Sequence, residues 1–337
     1  MRAFVVAVTF VAAAACVAPP SEREGESEEI ATDDAALFGS GLVEVTGFGR
    51  NPGALRMFEH VPANLPPNPA VVVVLHGCTT NALHIAGTGW NQLADQRGFI
   101  VVYPQQSYWN NGAYCFNWAN PMGFGDDDAK RGGGESESIR EMTAHALRRH
   151  RGDAERVYVA GFSAGAAMAV DLAAAYPDVY AAAASFAGVP YGCASTLPES
   201  VSCMMPGIER SPSEHARRVK AAFPSYTGRR PRISIWHGAL DNVVFPKNQR
   251  ELTKQWTELH GVGAEPSIVD EVDGHPHAVW LDDDDQKVVE TYRVEGMWHG
   301  FPVDPASGCG LVGPYAFAHG ICGARRAFEF FERGASR

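Results

Sequence analysis

The stretch that most constrains this chain runs from Arg156 to Gly165 and reads Arg-Val-Tyr-Val-Ala-Gly-Phe-Ser-Ala-Gly, with an alanine-rich run after it. The first five residues favour a strand and the alanine-rich run favours a helix. The G-x-S-x-G between them leaves no length for a loop. A chain that passes from strand to helix so abruptly crowds its own backbone, and Gly161 and Gly165 supply positions without a Cβ on either side of the turn. The turn lifts the Ser163 hydroxyl above a sheet edge and brings the N–H of Ala164 into the same space. Ser163 is therefore a candidate nucleophile, with an ordinary Gly- and Ser-rich turn as the alternative.

The flanking segments supply the rest of a sheet. Leu42 to Gly47 and Leu55 to Val61 read as paired early strands. Val71-Val72-Val73-Val74-Leu75 and Phe99-Ile100-Val101-Val102-Tyr103 are continuous apolar runs of the kind buried in parallel sheets. Arg232 to Trp236 and Val288 to Val294 read as later strands. Trp90 to Arg97, Ser136 to His150 and Pro246 to His260 read as helices. Strand–helix alternation predicts an α/β fold, a mostly parallel sheet with helices on both faces. Right-handed crossovers then gather the strand C-terminal ends on one edge, where sites form.

Serine alone is a poor nucleophile and needs a positioned base. In the chain order Ser, acid, His, the acid belongs just past a late strand, and Asp241 follows the Arg232 to Trp236 run. Its task is to accept from the imidazole Nδ1–H; capping the helix near Pro246 is the alternative. Asp270, Asp273 and the run Asp282 to Asp285 are rivals, the run reading as a solvated turn. The base belongs after the last strand, where His299 sits beside glycine. His275 and His277 read as surface turn residues, and His319 is a rival base. A second backbone donor should come from the loop after an early strand, so Cys78, following Gly77, is assigned as the partner of Ala164 in an oxyanion hole. His76 reads as a buttress of that loop.

The ends and the cysteines speak to compartment. Residues 1–16 have a basic start, an apolar core and small residues before Cys16, as in a secretory signal, and are too short to span a membrane. The run ending in Cys16 resembles a lipobox, which would lipidate that cysteine; cleavage near Ala15 is the alternative. Residues 17–40 form an acidic, aromatic-poor tether that cannot bury a core. Between Ser21 and Asp34 seven acids face one arginine, so about half of the net charge of −11 sits there. The body is only mildly acidic, which argues against nucleic-acid binding. Residues 41–337 read as one catalytic domain, 45% hydrophobic and 20% charged being the values for the whole chain. Six further cysteines, Cys78, Cys115, Cys193, Cys203, Cys309 and Cys322, suit disulfides in an exported protein. Proximity along the chain suggests Cys193–Cys203 and Cys309–Cys322, leaving Cys78–Cys115, although many pairings are open. No C-x-x-C spacing suggests zinc.

Taken together, several segments resemble the secreted polyhydroxybutyrate depolymerase family of esterases, a group that also includes feruloyl and acetylxylan esterases. They are Leu75 to Thr79, Tyr103 to Gln106, Cys115 to Trp118, Arg131 to Glu135, Gly161 to Met168, Ala187 to Cys193, His299 to Asp304 and Cys309 to Cys322. The resemblance covers about residues 42 to 333. It implies an α/β-hydrolase with the triad Ser163, Asp241 and His299, acting on ester bonds through an acyl-enzyme without metal or cofactor. Two departures stand out: Ala166 where the family usually has Gly, and Trp298 in place of a smaller residue. Trp298, Trp118 and Trp109 are candidate substrate-binding aromatics; packing of the loop onto the body by Phe116 and Trp118 is the alternative. The expected partner is a polymeric or oligomeric ester, met by a monomer outside the cell or in its envelope. The rival readings are a plant-wall polysaccharide esterase and a non-catalytic binding protein on the same scaffold.

Overall fold

Val71–Leu75 is apolar on both faces, so it has to be covered from both sides, and every one of its side chains is buried. It lies inside a ten-stranded sheet in the structure, a computed structural model that describes residues 41–119 and 128–333. The segments assigned to an export leader ending at Cys16 and to the tether of residues 17–40 lie outside the described residues.

In chain order the first elements are β1 (Val43–Val45), β2 (Arg56–His60), β3 (Val71–Leu75), α1 (Ala82–Ala86), α2 (Trp90–Arg97) and β4 (Ile100–Gln105). Then come α3 (Gly134–His150), β5 (Val157–Phe162), α4 (Ala164–Ala175), β6 (Ala182–Phe186), α5 (Leu197–Met204) and α6 (Pro212–Ala222). They are followed by β7 (Arg232–Gly238), α7 (Lys247–His260), β8 (Ile268–Val272), β9 (His275–Leu281) and β10 (Lys287–Val294). The short strands β11 (Phe301–Val303) and β12 (Ala316–Ala318) precede α8 (Gly323–Glu332).

The sheet order is β1-β2-β4-β3-β5-β6-β7-β10-β9-β8. Its centre, β4 through β10, is parallel. Antiparallel strands extend both sides, β2 and β1 on one, β9 and β8 on the other. Alternate residues of β3 feed two cores, as the pleat requires. Val71, Val73 and Leu75 join Ile139 and Met142 of α3, Leu172 of α4 and Trp256 of α7. Val72 and Val74 join Ile85 of α1, Trp90 of α2 and Phe331 of α8 on the opposite face. Each such side chain contributes about 1.5–3 kcal/mol by leaving water, which is why the α/β architecture with helices on both faces follows from the apolar runs.

From β3 the chain moves to β4 on one side and then crosses to β5 on the other. The strand order reverses there, at the C-terminal ends of β3 and β5, the position where open α/β sheets gather their sites. Three disulfides, Cys78–Cys115, Cys193–Cys203 and Cys309–Cys322, pair as chain proximity suggested. Cys78 follows β3 and Cys193 follows β6. Cys322 caps the start of α8, whose far end, Glu332, bonds Tyr158 and Arg156 at the opening of β5. That places Cys322 at the opposite, C-terminal edge of the sheet.

The expected strands and helices are found with ends shifted by up to two residues, as where α3 begins at Gly134 instead of Ser136. One expectation is corrected. His275 and His277 are not surface turn residues; they lie buried at alternate positions of β9. His277 Nδ1 meets Asp270 Oδ1 at 2.6 Å and its ring packs on Tyr292. The Asp273-Gly274 turn just before them and Pro276 between them gave the segment its loop-like appearance. Pro276 is tolerated because it stands beside the β8–β9 turn, past the last β9–β10 pair at His277 and Tyr292.

Candidate active site

The elbow owes its shape to two close approaches. A Cβ on Gly161 would lie 2.1 Å from the carbonyl oxygen of Gly165, and a Cβ on Gly165 would lie 2.4 Å from that of His76. Any side chain at either position would drive α4 off the sheet. Ser163 between them has φ 55° and ψ −120°, a left-handed conformation for a residue with a side chain, costing about 1–3 kcal/mol. It is held there by its N–H, which donates to Phe186 O at 2.9 Å, and by its carbonyl, which accepts from Ala167 N–H at 3.0 Å. Ala166, the departure from the usual glycine, is accommodated as a buried residue of α4.

β7 delivers the acid. Past Gly238 the chain turns, and Asp241 Oδ1 accepts from the N–H groups of Val243 and Val244, both at 2.9 Å. That fixes the carboxylate so that Oδ2 meets His299 Nδ1 at 2.8 Å. The alternative reading, Asp241 as helix cap, does not hold, since the N-cap of α7 is Pro246. His237, which sequence reasoning passed over, supports this turn from below. It is fully buried, and its Nε2–H donates to Val244 O at 2.7 Å. Burial pushes its pKa down and keeps the ring neutral. The sequence signal was the Trp-His-Gly at the end of a buried strand.

β10 delivers the base. His299 is buried, and its Nε2 lies 2.9 Å from Ser163 Oγ. A neutral ring that donates from Nδ1 to Asp241 leaves Nε2 free to accept the serine proton, the arrangement general-base activation of a hydroxyl needs. Phe162 and Tyr315 flank the ring, at centroid distances of 4.9 and 6.2 Å. Tyr315, on the Cys309–Cys322 loop, is a second residue that the sequence did not single out; its place beside His299 depends on a fold-back invisible in linear order. Three of the acidic rivals are engaged elsewhere. Asp270 pairs with His277, Asp273 with Arg326 and Asp282 with Arg229. The His319 carbonyl accepts from His275.

The loop after β3 lies against the elbow. A Cβ on Gly77 would meet the Phe162 ring at 2.7 Å and Ser163 Cβ at 3.3 Å, so only glycine lets this turn lie so close to Ser163. His76 is the expected buttress: Nε2 accepts from Gln106 N–H at 3.1 Å, and Nδ1–H donates to Gly77 O at 2.7 Å. Burial lowers its pKa to about 4, so it stays neutral.

The three candidate substrate-binding tryptophans differ. Trp298 adjoins His299 and is 55% exposed. Trp109 is 93% exposed and touches Tyr108 edge-on. Trp118 is half-buried against Ala167, Val244 and the Cys193–Cys203 bridge, while Phe116 is wholly in the core.

The family model described as esterase PHB depolymerase matches residues 58–267, a span that includes Ser163 and Asp241. Poly(3-hydroxyalkanoate) depolymerase C of Paucimonas lemoignei is 43% identical over 293 residues, covering 86% of this chain and 70% of that protein. Feruloyl esterase B of Thermothelomyces thermophilus is 38% identical over 254 residues, covering 73% of this chain and 83% of that protein. Among solved structures, an acetyl xylan esterase from Aspergillus awamori superposes with a TM-score of 0.72 at 28% identity, covering 87% of this chain and 99% of that one.

Proposed function

Because the chain belongs to the esterase PHB depolymerase family, we propose that it is an exported serine esterase that cleaves the ester bonds of a polyester or its oligomers. The observation that carries this reading is the relay of Ser163 Oγ, His299 Nε2, His299 Nδ1 and Asp241 Oδ2, with contacts of 2.9 and 2.8 Å. Ser163 Oγ bonds to the ester carbonyl carbon as its proton passes to His299 Nε2. The carbonyl oxygen takes the negative charge and accepts from the N–H groups of Cys78 and Ala164. Collapse breaks the bond to the alcohol oxygen, which leaves with the proton from His299. Water, deprotonated by the same nitrogen, then releases the acid from Ser163. Each backbone donor at the oxyanion contributes roughly 3–4 kcal/mol to that intermediate, on the scale of measured deletions. Three disulfides support export, and a lipid anchor at Cys16 belongs to the same reading.

Esters on plant-wall polysaccharide are the second reading. It is favoured by the extent of the overlap with feruloyl esterase B and the acetyl xylan esterase, which covers 83% and 99% of them. The deciding experiment gives the protein polyhydroxybutyrate and feruloylated, acetylated arabinoxylan in parallel. Release of hydroxybutyrate is the expected result, and release of ferulate or acetate alone would move the assignment to the second reading. Ser163→Ala should lower kcat by about 10⁶, on the scale of triad knockouts. An Ala variant with near-full activity would remove Ser163 from the mechanism.

A further inference from the structure

Glu135, at the end of the Arg131 to Glu135 motif and in the first turn of α3, is completely buried. Its Oε1 accepts from Gln106 Nε2 at 2.5 Å and Asn110 Nδ2 at 2.9 Å, and its Oε2 accepts from Asn117 N–H at 2.8 Å. Its own N–H donates to Asp128 Oδ1 at 3.1 Å, and Asn117 Nδ2 reaches the other oxygen of Asp128 at 3.2 Å. The donors at 106, 110 and 117 span the loop that follows β4, so one carboxyl gathers both ends of that loop. A carboxylate accepts on both oxygens; an amide in its place would set an N–H₂ against at least one of these donors. Burial, with Asp128 close by, pushes the Glu135 pKa up to about 8, while the donors at 106, 110 and 117 favour the ionised form. This group is therefore costly to place here, and apolar packing would cost less. The comparison with the amide belongs at a pH above about 8, where the carboxylate prevails.

The loop that Glu135 gathers is also the one fastened to the turn after β3. Cys115 is bonded to Cys78. Ala113 O accepts from Thr79 N–H at 2.8 Å. Gln106 donates its N–H to His76, which holds Gly77 O, and the Phe116 ring lies 4.9 Å from the His76 ring. Gln106 Nε2 additionally donates to Cys115 O at 2.9 Å. Glu135 is therefore joined to the Gly77–Cys78 peptide by two routes, one through Gln106 and His76, the other through Asn117, Gln106 and Cys115.

We propose that Glu135 is a positioning residue for ester cleavage, the acceptor about which residues 106–117 fold so that the Cys78 N–H stands where the oxyanion forms. This rests on the reading of Ser163 as nucleophile with Cys78 and Ala164 as oxyanion donors. Donors displaced by even 1 Å cost about 10²-fold in rate without weakening the ground-state complex.

The experiment compares wild type, Ser163→Ala and Glu135→Gln with a soluble p-nitrophenyl butyrate substrate, a fluorophosphonate probe and a trifluoromethyl ketone, which forms a tetrahedral oxyanion adduct on the serine. Folding is followed by thermal melting. The expected result for Glu135→Gln is a kcat lowered roughly 10- to 100-fold, with KM within about twofold and the ketone weakened by the same factor as kcat. Unchanged kcat and ketone affinity would overturn the proposal, as would a loss that only follows the folded fraction. A wild type that resists the fluorophosphonate, or an active Ser163→Ala, would instead sink the underlying reading. Should Glu135→Gln fail to fold, Asn110→Ala removes one donor at a partly exposed position. A kcat loss of about threefold or more at constant KM is then expected, and no change would overturn the proposal.

Discussion

Asp241 divides its two oxygens between structure and chemistry, and that division makes it separable by substitution. Asp241→Asn keeps Oδ1 for the Val243 and Val244 N–H groups but presents an N–H₂ to His299 Nδ1. The ring must then place its proton on Nε2, where it can no longer accept from Ser163. A kcat loss of about 10⁴ with the melting temperature nearly unchanged is expected, by analogy with the same substitution in another serine hydrolase; kcat retained within tenfold would exclude this role. Asp171 is the opposite case, a carboxyl in the middle of α4 that the site does not use. It is buried, its Oδ2 has no hydrogen-bond partner among the described residues, and burial raises its pKa well above the usual carboxylate range. An acid with a raised native pKa favours folding most below its unfolded value, near pH 4, and loses that advantage as pH rises through the gap between the two. Asp171→Asn should therefore stabilise the protein at pH 7 by about 1–3 kcal/mol and lose the gain near pH 4, as read by denaturant melts at both values. At this scale the order of the strands brings Ser163, Asp241 and His299 forward in the sequence, and the structure sets the three within hydrogen-bond reach of one another. The sequence does not disclose His237, Tyr315 or the partners of Glu135, whose meaning lies in contacts between segments far apart in the chain.

At the scale of elements, the legible ones are those whose composition and burial agree. The valine runs of β3 and β4 can only be central strands. The sequence reading contains no strand at Ala182–Phe186, yet β6 lies between β5 and β7 with every side chain buried. Alanine favours helix when the backbone alone decides; here two neighbouring strands and the crowding of α4 select small side chains and override that preference. The elbow shows the same crowding. Gly165→Ala would set a methyl 2.4 Å from His76 O, and because that atom is backbone the helix must move. Loss of about 2–4 kcal/mol of stability together with most activity is expected; a variant that melts like the wild type would show that α4 can shift freely. The Cys78–Cys115 bridge closes a loop with a sequence separation of 37. Replacing both cysteines by alanine should cost about 4 kcal/mol on the chain-entropy model and, by loosening the Gly77–Cys78 turn, lower kcat further than the lost stability explains.

For the molecule as a whole, the two cores on either side of the sheet are built from side chains of residues 41–119 and 128–333. A chain beginning at residue 41 should match one beginning at residue 17 in kcat and, within about 2 °C, in melting temperature; a clear drop would mean that the acidic segment packs on the body. The α/β class was legible from alternation alone. The antiparallel additions β8 and β9 were not, because an exposed edge strand such as Ile268–Val272 lacks the apolar signature of the centre. The placing of the bridges has a practical consequence. All three clamp loops at the edge that carries Ser163, and none crosses between the two cores. On the chain-entropy model the three bridges, with separations of 37, 10 and 13, together contribute roughly 9 kcal/mol. A host with a reducing cytosol should therefore yield little folded protein, and the fraction that does fold should have poor specific activity that oxidation restores without denaturant.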